Sequence, residues 1–273
     1  MSKYENISCH HFIEINGYAY FSNWLYNAFF QTELKTGKTM FLGAFEMEMQ
    51  DEFNIHWELL LQEDLIYFFP RIGRHIHVYS LRDHFVSAIE VRKASDAFFR
   101  IGEVIVKEKS IILLPMEKDA PIRRFDLSTH AITDITSTQN VDKNPPLSQH
   151  WPIFPEPQLL EKYQIGQADK FSWKEMPDGR WCAFLPTGRH LLWYAPKTRR
   201  IDAMPLVIEN ESELDAYLQP LRQTCLCREE TIEGVQLSAY EYLKTIMRYR
   251  RETGGLKEEK RFVGEKIWRA LKI

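Results

Sequence analysis

Two tripeptides, Gly73-Arg74-His75 and Gly188-Arg189-His190, carry the sharpest chemical hint in the chain. Each follows a proline that closes an apolar run: Gly73 comes three residues after Pro70 and Gly188 two after Pro186. An arginine in such a loop presents a planar fork of donors that matches a carboxylate, a phosphate or a sugar acid. Trp57 and Trp173 each precede the same two prolines by 13 residues. Flat indole rings at that position could stack on sugars or peptides. His56 and Glu58, on either side of Trp57, would supply an acid–base pair if the site were catalytic. Each feature also has a plain structural reading. The glycines can serve hairpin turns with solvated charges, and the tryptophans can be core packing repeated from unit to unit.

The cysteines and other histidines invite a metal reading, through Cys225-Leu226-Cys227 and Cys9-His10-His11. A C-x-C spacing is too tight for the usual zinc knuckle, and no second pair follows it, so the sequence predicts neither a metal site nor a cofactor. With no export signal, the four cysteines are expected to be free thiols in a reducing compartment. No Ser-His-Asp order, Walker loop or dinucleotide fingerprint is visible.

The elements that would position these residues come from a phrase that recurs four times. It is an apolar strand end, a short polar turn and a new apolar strand, marked by Thr36, Asp83, Thr129 and Thr198. The steps are 47, 46 and 69 residues, and a period of this size indicates a repeat architecture. Upstream of each turn lies an apolar run, at Tyr18, Leu65, Ile111 and Trp181, preceded by the turns Asn16-Gly17, Glu63-Asp64, Glu108-Lys109 and Asp178-Gly179. Runs of four to six apolar residues bounded by breakers read as buried strands, and Asn-Gly and Asp-Gly as hairpins. Each repeat is therefore four antiparallel strands. One meander cannot bury both faces, whereas several arranged radially can, as in a β-propeller. A large sandwich or barrel is the other all-β arrangement to weigh.

The turn phrase, nearest in Phe125-Asp126-Leu127-Ser128-Thr129, resembles the third-to-fourth-strand turn of kelch-like propeller blades. The resemblance covers roughly residues 8 to 208 and lacks the Gly-Gly pair of true kelch repeats. It implies the fold and transfers no functional residue. The expected architecture is a mainly β, propeller-like array of four blades, or five if a degenerate one includes the insertion, with a C-terminal helical appendage. The boundaries are residues 1–208 for the β body, with an insertion at 137–168, and 209–273 for the appendage. The insertion carries five prolines within 13 residues, which exclude a helix or a central strand, and Trp151 argues for packed order. In the appendage, a helix capped by Ser212 is expected to end before Pro220. Two more are expected near Leu237–Met247 and Lys257–Leu271.

The net charge of −3 gives no global attraction to nucleic acid or membrane, and no apolar stretch is long enough to span a bilayer. A cytoplasmic protein is expected. The composition and motifs favour a non-catalytic binding or scaffold protein that presents one face of the disc to a protein, peptide or glycan. The expected contributors are Arg74, Arg189, Trp57, Trp173, His56 and Trp151. The alternatives are a carbohydrate-active enzyme with its site at the channel mouth, and a protein that self-associates into a homodimer through open sheet edges.

Overall fold

Each recurring turn closes on a residue with positive φ, namely Gly37 at 75°, His84 and Arg199 at 53° and His130 at 56°. In three of them the amide of that residue donates to the carbonyl four positions back: Gly37 to Glu33, His84 to Ser80 and His130 to Asp126, each at 2.9 Å. The polar residues of the phrase tie the loop. Asp126 Oδ1 accepts from the amides of Ser128 and Thr129 at 3.0 and 2.9 Å and from both hydroxyls. These donors, led by the Ser128 hydroxyl, hold the Asp126 carboxyl well below the usual carboxylate range. The repeated phrase is thus turn chemistry, set by short side chains that bond their own backbone.

A computed structural model describes residues 6–50, 52, 55–71, 73–91, 101–107, 109–115, 120–135, 173–185, 188–227, 231–232 and 235–236. Four antiparallel meanders are present, each of four strands. Blade 1 holds β1 (Ile13–Ile15), β2 (Tyr18–Ser22), β3 (Phe29–Glu33) and β4 (Lys38–Gly43). Blade 2 holds β5 (His56–Gln62), β6 (Leu65–Pro70), β7 (His75–Ser80) and β8 (Phe85–Glu90). Blade 3 holds β9 (Ile101–Lys107), β10 (Ser110–Pro115), β11 (Ile122–Asp126) and β12 (Ile132–Ile135). Blade 4 holds β13 (Lys174–Glu175), β14 (Trp181–Phe184), β15 (His190–Ala195) and β16 (Arg200–Pro205).

Strand alternation divides the core between blades. Along β6, Ile66 and Phe68 join a cluster with Phe29, Phe45 and Tyr20 of the blade 1 side. Tyr67 and Phe69 point the other way, into a cluster with Ile111, Leu113 and Phe125 of blade 3. Both faces of β6 are therefore buried, which is why it reads as an unbroken apolar run. Blade 4 keeps its own cluster around Trp173, Leu192 and Tyr194.

Blade 4 meets blade 1. Phe184 lies 4.3 Å from Phe21 and 5.5 Å from Phe12, centroid to centroid, and the Ile7 amide donates to the Gly188 carbonyl at 3.1 Å. The chain leaves blade 4 at this seam. After Pro205 the Leu206 amide turns back to Arg189 O at 2.8 Å. Then β17 (Val207–Ile208) leaves its own blade and pairs in parallel with β4, Val207 opposite Lys38 and Ile208 opposite Thr39. Asn210 continues the pairing with its side chain, accepting from the Phe41 amide at 2.9 Å and donating to the Phe41 carbonyl at 2.8 Å. No core cluster of the described residues joins blades 3 and 4. The result is a mainly β, propeller-like array of four blades in the spatial order 3, 2, 1, 4.

The chain divides into two compact units, residues 6–211 and residues 1–5 with 212–273. The described part of the second holds α1 (Glu211–Cys227), apart from its first residue, and the short pair β18 (Thr231–Ile232) and β19 (Val235–Gln236). Pro220 does not end this helix, contrary to the expectation from sequence, because α1 continues through it to Cys227. Proline removes one i→i−4 bond. The turns on either side keep theirs, and Leu214, Leu218 and Leu221 form a buried stripe at helical spacing across the proline. The insertion at 137–168, Trp151 and the two further expected helices lie outside the described residues.

Candidate functional site

In an antiparallel four-stranded meander the connection between second and third strands and the exit of the fourth strand lie at the same end of the sheet. Among the described residues, that end in blades 1 and 2 gathers 23–28, 44–50, 52, 55, 71, 73 and 74, together with 6–12 before β1. Five histidines sit there: His10, His11, His56, His75 and His77.

The innermost group is a chain of directed hydrogen bonds. His77 Nε2 lies 2.9 Å from the backbone carbonyl of Glu46, which can only accept, so this nitrogen carries the proton. His77 Nδ1 must then accept, and it lies 2.8 Å from His56 Nε2. His56 Nδ1 in turn accepts from the Ser22 hydroxyl at 3.0 Å. One carbonyl therefore sets the tautomers of both rings. The group is buried: His77 is 0% exposed, His56 6% and Ser22 7%. It caps the blade 1–blade 2 core, with Phe45 4.4 Å from the His56 ring and 4.9 Å from His77. Burial drives the His56 pKa well below its ordinary value, helped by His77, and pushes His77 down to about 4, so both rings are neutral.

His75 shares a strand face with His77. Its Nδ1 donates to Glu48 Oε1 at 2.9 Å, and the same oxygen accepts from the amides of Arg74 and His75 at 2.7 and 2.9 Å. The Glu48 side chain is only 2% exposed, although its neighbours Met47 and Met49 are 74% and 67% exposed. Asn27 fixes the loop that carries it, bonding the amide and carbonyl of Phe45 at 2.9 Å each. Gly73 leaves room for the carboxylate, since a Cβ there would stand 3.1 Å from Glu48 Oε1 and 2.9 Å from Ile55. One ligand atom from each of Glu48, His75 and His77 fits within 4.8 Å of the others.

Outside this group lies an aromatic shelf. The His10 ring is 4.7 Å from Trp24 and 4.9 Å from Trp57, and His11 is 5.3 Å from Trp57. The Arg71 guanidinium sits 4.1 Å over the Trp57 ring, a cation–π contact. All five side chains are half-buried. Burial, with His11 and Arg71 nearby, pushes His10 down to about 3. Burial and Arg71 push His11 down to about 4.

The residues singled out in the sequence are not all brought together. His56 and Trp57 stand in this region, and exposed Arg74 borders it through its amide on Glu48. Arg189 is on blade 4, where it pairs with Glu211 at 2.7 Å. Trp173 is 8% exposed within the blade 4 core. His56 and Glu58 do not form a pair. The register shifts between them, His56 standing opposite Pro70 and Glu58 opposite Phe69, so Trp57 is a bulge. The bulge leaves His56 facing Ser22 of blade 1, while Glu58 is turned toward Glu103 of blade 3. Ser22, Glu48 and His77 were missed from sequence. The only local trace was the H-x-H of His75 and His77, which places two rings on one strand face.

Glu58 has a measurable consequence of its own. Burial, then Glu103, pushes its carboxyl up to about 7. The folded state therefore holds this proton more tightly than the unfolded chain. The associated stability is complete below about pH 4.5 and is lost as pH rises through about 7. Glu58→Gln is expected to remove that slope, gaining roughly 3 kcal/mol at pH 8 relative to wild type and well under about 1 kcal/mol at pH 4.5. Urea unfolding of both proteins at the two pH values checks it.

No family model and no curated protein matches the sequence. Solved structures similar to this chain include a streptogramin B lyase, at 11% identity and TM-score 0.37 over 74% of this chain and 56% of that one. The N-terminal domain of Nup159 matches at 9% identity and TM-score 0.31, over 71% and 46%. Hsv2 of K. marxianus matches at 15% identity and TM-score 0.29, over 74% and 57%. The chain spans only about half the length of these proteins. No helix among the described residues is long and apolar enough to cross a membrane.

Proposed function

We propose that this is a non-catalytic binding protein that receives a protein, peptide or sugar-like ligand on the shared loop face of blades 1 and 2. The observation that carries this reading is the half-buried shelf of Trp24, Trp57, His10 and His11, with the exposed Met47 and Met49 on a loop at the same end of the sheet. Neutral rings on a fixed backbone offer flat contact area at small entropic cost, and exposed methionines adapt to an irregular apolar partner. Arg74 lies within reach of the same loop and offers a charge to an acidic group. The test is a panel of glycans and short peptides titrated against intrinsic tryptophan fluorescence. Trp57→Ala should weaken any hit at least tenfold, and Arg74→Ala should weaken acidic hits selectively. A hit whose affinity Trp57→Ala leaves unchanged would remove this face from consideration.

Catalysis has one observation in its favour, the Ser22–His56–His77 chain, whose direction would let His56 take the serine proton. The 7% exposure of Ser22 argues against attack on a substrate. Covalent labelling of Ser22 by a fluorophosphonate would reverse that preference.

A further inference from the structure

We propose that Glu48, His75 and His77 form a binding site for a divalent transition-metal ion, with zinc as the type. Two imidazoles and one carboxylate are the donor set of open zinc and related first-row sites. The three ligand atoms already converge within 4.8 Å, and small side-chain rotations would close the remaining gap.

The scaffold is rigid where a metal needs it. His75 and His77 project from one face of β7, an inner strand paired on both sides. Glu48 is drawn down from an exposed loop and held by two backbone amides. A buried carboxylate costs free energy unless cations or donors surround it, and a metal ion answers that cost more fully than three N–H groups.

The outer partners are also in place. A ligating imidazole needs an acceptor or donor for its second nitrogen. If the ion takes His77 Nδ1, the Nε2–H keeps its bond to the Glu46 carbonyl, and the His56 proton that had pointed at Nδ1 moves from Nε2 to the His56 Nδ1 and toward Ser22 Oγ. If it takes Nε2, the proton moves to Nδ1 and is donated to His56 Nε2, whose own proton shifts to Nδ1 and toward Ser22 Oγ. Each ring keeps one proton in either case. At His75 the ion replaces the proton shared with Glu48 Oε1, and that proton moves to Nε2. Three protein ligands leave a coordination position for water or an incoming group. This inference does not depend on the ligand reading above, because the metal alone is the probe.

The experiment uses the full chain, stripped with chelator, and titrated with Zn²⁺ by calorimetry and with Co²⁺ by visible absorption. One ion per chain is expected, with a cobalt spectrum of nitrogen and oxygen ligation and no thiolate charge-transfer band. Glu48→Gln and His77→Gln should each weaken Zn²⁺ binding at least tenfold, with folding checked by circular dichroism. Cys225→Ser/Cys227→Ser should leave it unchanged. A thiolate band in the wild-type spectrum would overturn the assignment without any variant. Absence of stoichiometric binding, or loss of binding in the cysteine variant, would overturn it equally.

Discussion

Replacing Arg123 by alanine is expected to destabilise the β body by about 3–5 kcal/mol, one of the largest effects available from one residue. Arg123 is 0% exposed, on β11, with its side chain turned toward the apolar contact of blades 2 and 3. Its Nε donates to Asp134 on the adjacent strand at 3.1 Å, and its Nη1 donates to the carbonyl of Val91. Val91 ends blade 2, so this guanidinium ties blade 3 to its neighbour. Alanine would leave a large cavity, an orphaned buried carbonyl and a carboxylate without its cation. Arg123→Met refills the volume and should recover part of the loss. Urea unfolding followed by fluorescence measures both. A loss below about 1 kcal/mol for alanine would mean that water reaches the site and replaces the guanidinium.

The second large effect is expected at Gly37. Its φ of 75° would ordinarily explain a glycine, but His84, Arg199 and His130 hold the same place in the other turns at 53–56°. The turn therefore tolerates a β-carbon, and the reason for glycine lies at the seam with blade 4. A Cβ on residue 37 would stand 2.4 Å from the Pro205 carbonyl oxygen, a backbone atom with no freedom to withdraw. The Gly37 carbonyl also accepts the Val207 amide at 2.9 Å, so the clash falls where β17 joins β4. Gly37→Ala is expected to cost about 2–5 kcal/mol, combining left-handed strain and overpacking. Gly37→Asn should cost nearly as much despite the tolerance of asparagine for positive φ, whereas His84→Ala should stay within about 1 kcal/mol. Faster hydrogen exchange at Val207 and Glu209 would locate the damage. Protection there equal to wild type would refute the seam explanation.

The blade was legible because its information is local. Turn-closing Asp, Ser and Thr recur at a fixed interval, and the apolar runs between them are unbroken where both faces are buried. The order of the blades was not legible. That blade 4 lies against blade 1 depends on Phe184 meeting Phe12 and Phe21, and on a strand that crosses to β4 after Pro205. Neither leaves a periodic trace. The metal-type cluster was hidden for a related reason: Glu48 comes from a loop between blades, and only His75 and His77 share a strand. The tripeptide Gly73-Arg74-His75 overlaps the H-x-H pair, so the repeat with Gly188-Arg189-His190 masks the pairing of His75 with His77. The pairing of His56 with Glu58 failed on one extra residue, the bulge at Trp57, which turns the two side chains to opposite faces.

The β17–β4 pairing also has a meaning in time. Phe41 waits for Asn210 across 169 residues of chain. At about 5–20 residues per second, blade 1 emerges from the ribosome on the order of ten seconds before the segment that completes it. During that interval its outer strand is an unpaired edge, able to recruit a neighbouring nascent chain. Lys38, at the start of that strand and 57% exposed even when ion-paired with Glu209, puts a charge on the edge while it waits. Its replacement by an apolar residue should therefore act mainly on the yield of soluble protein during synthesis, with little change in the stability of the finished fold.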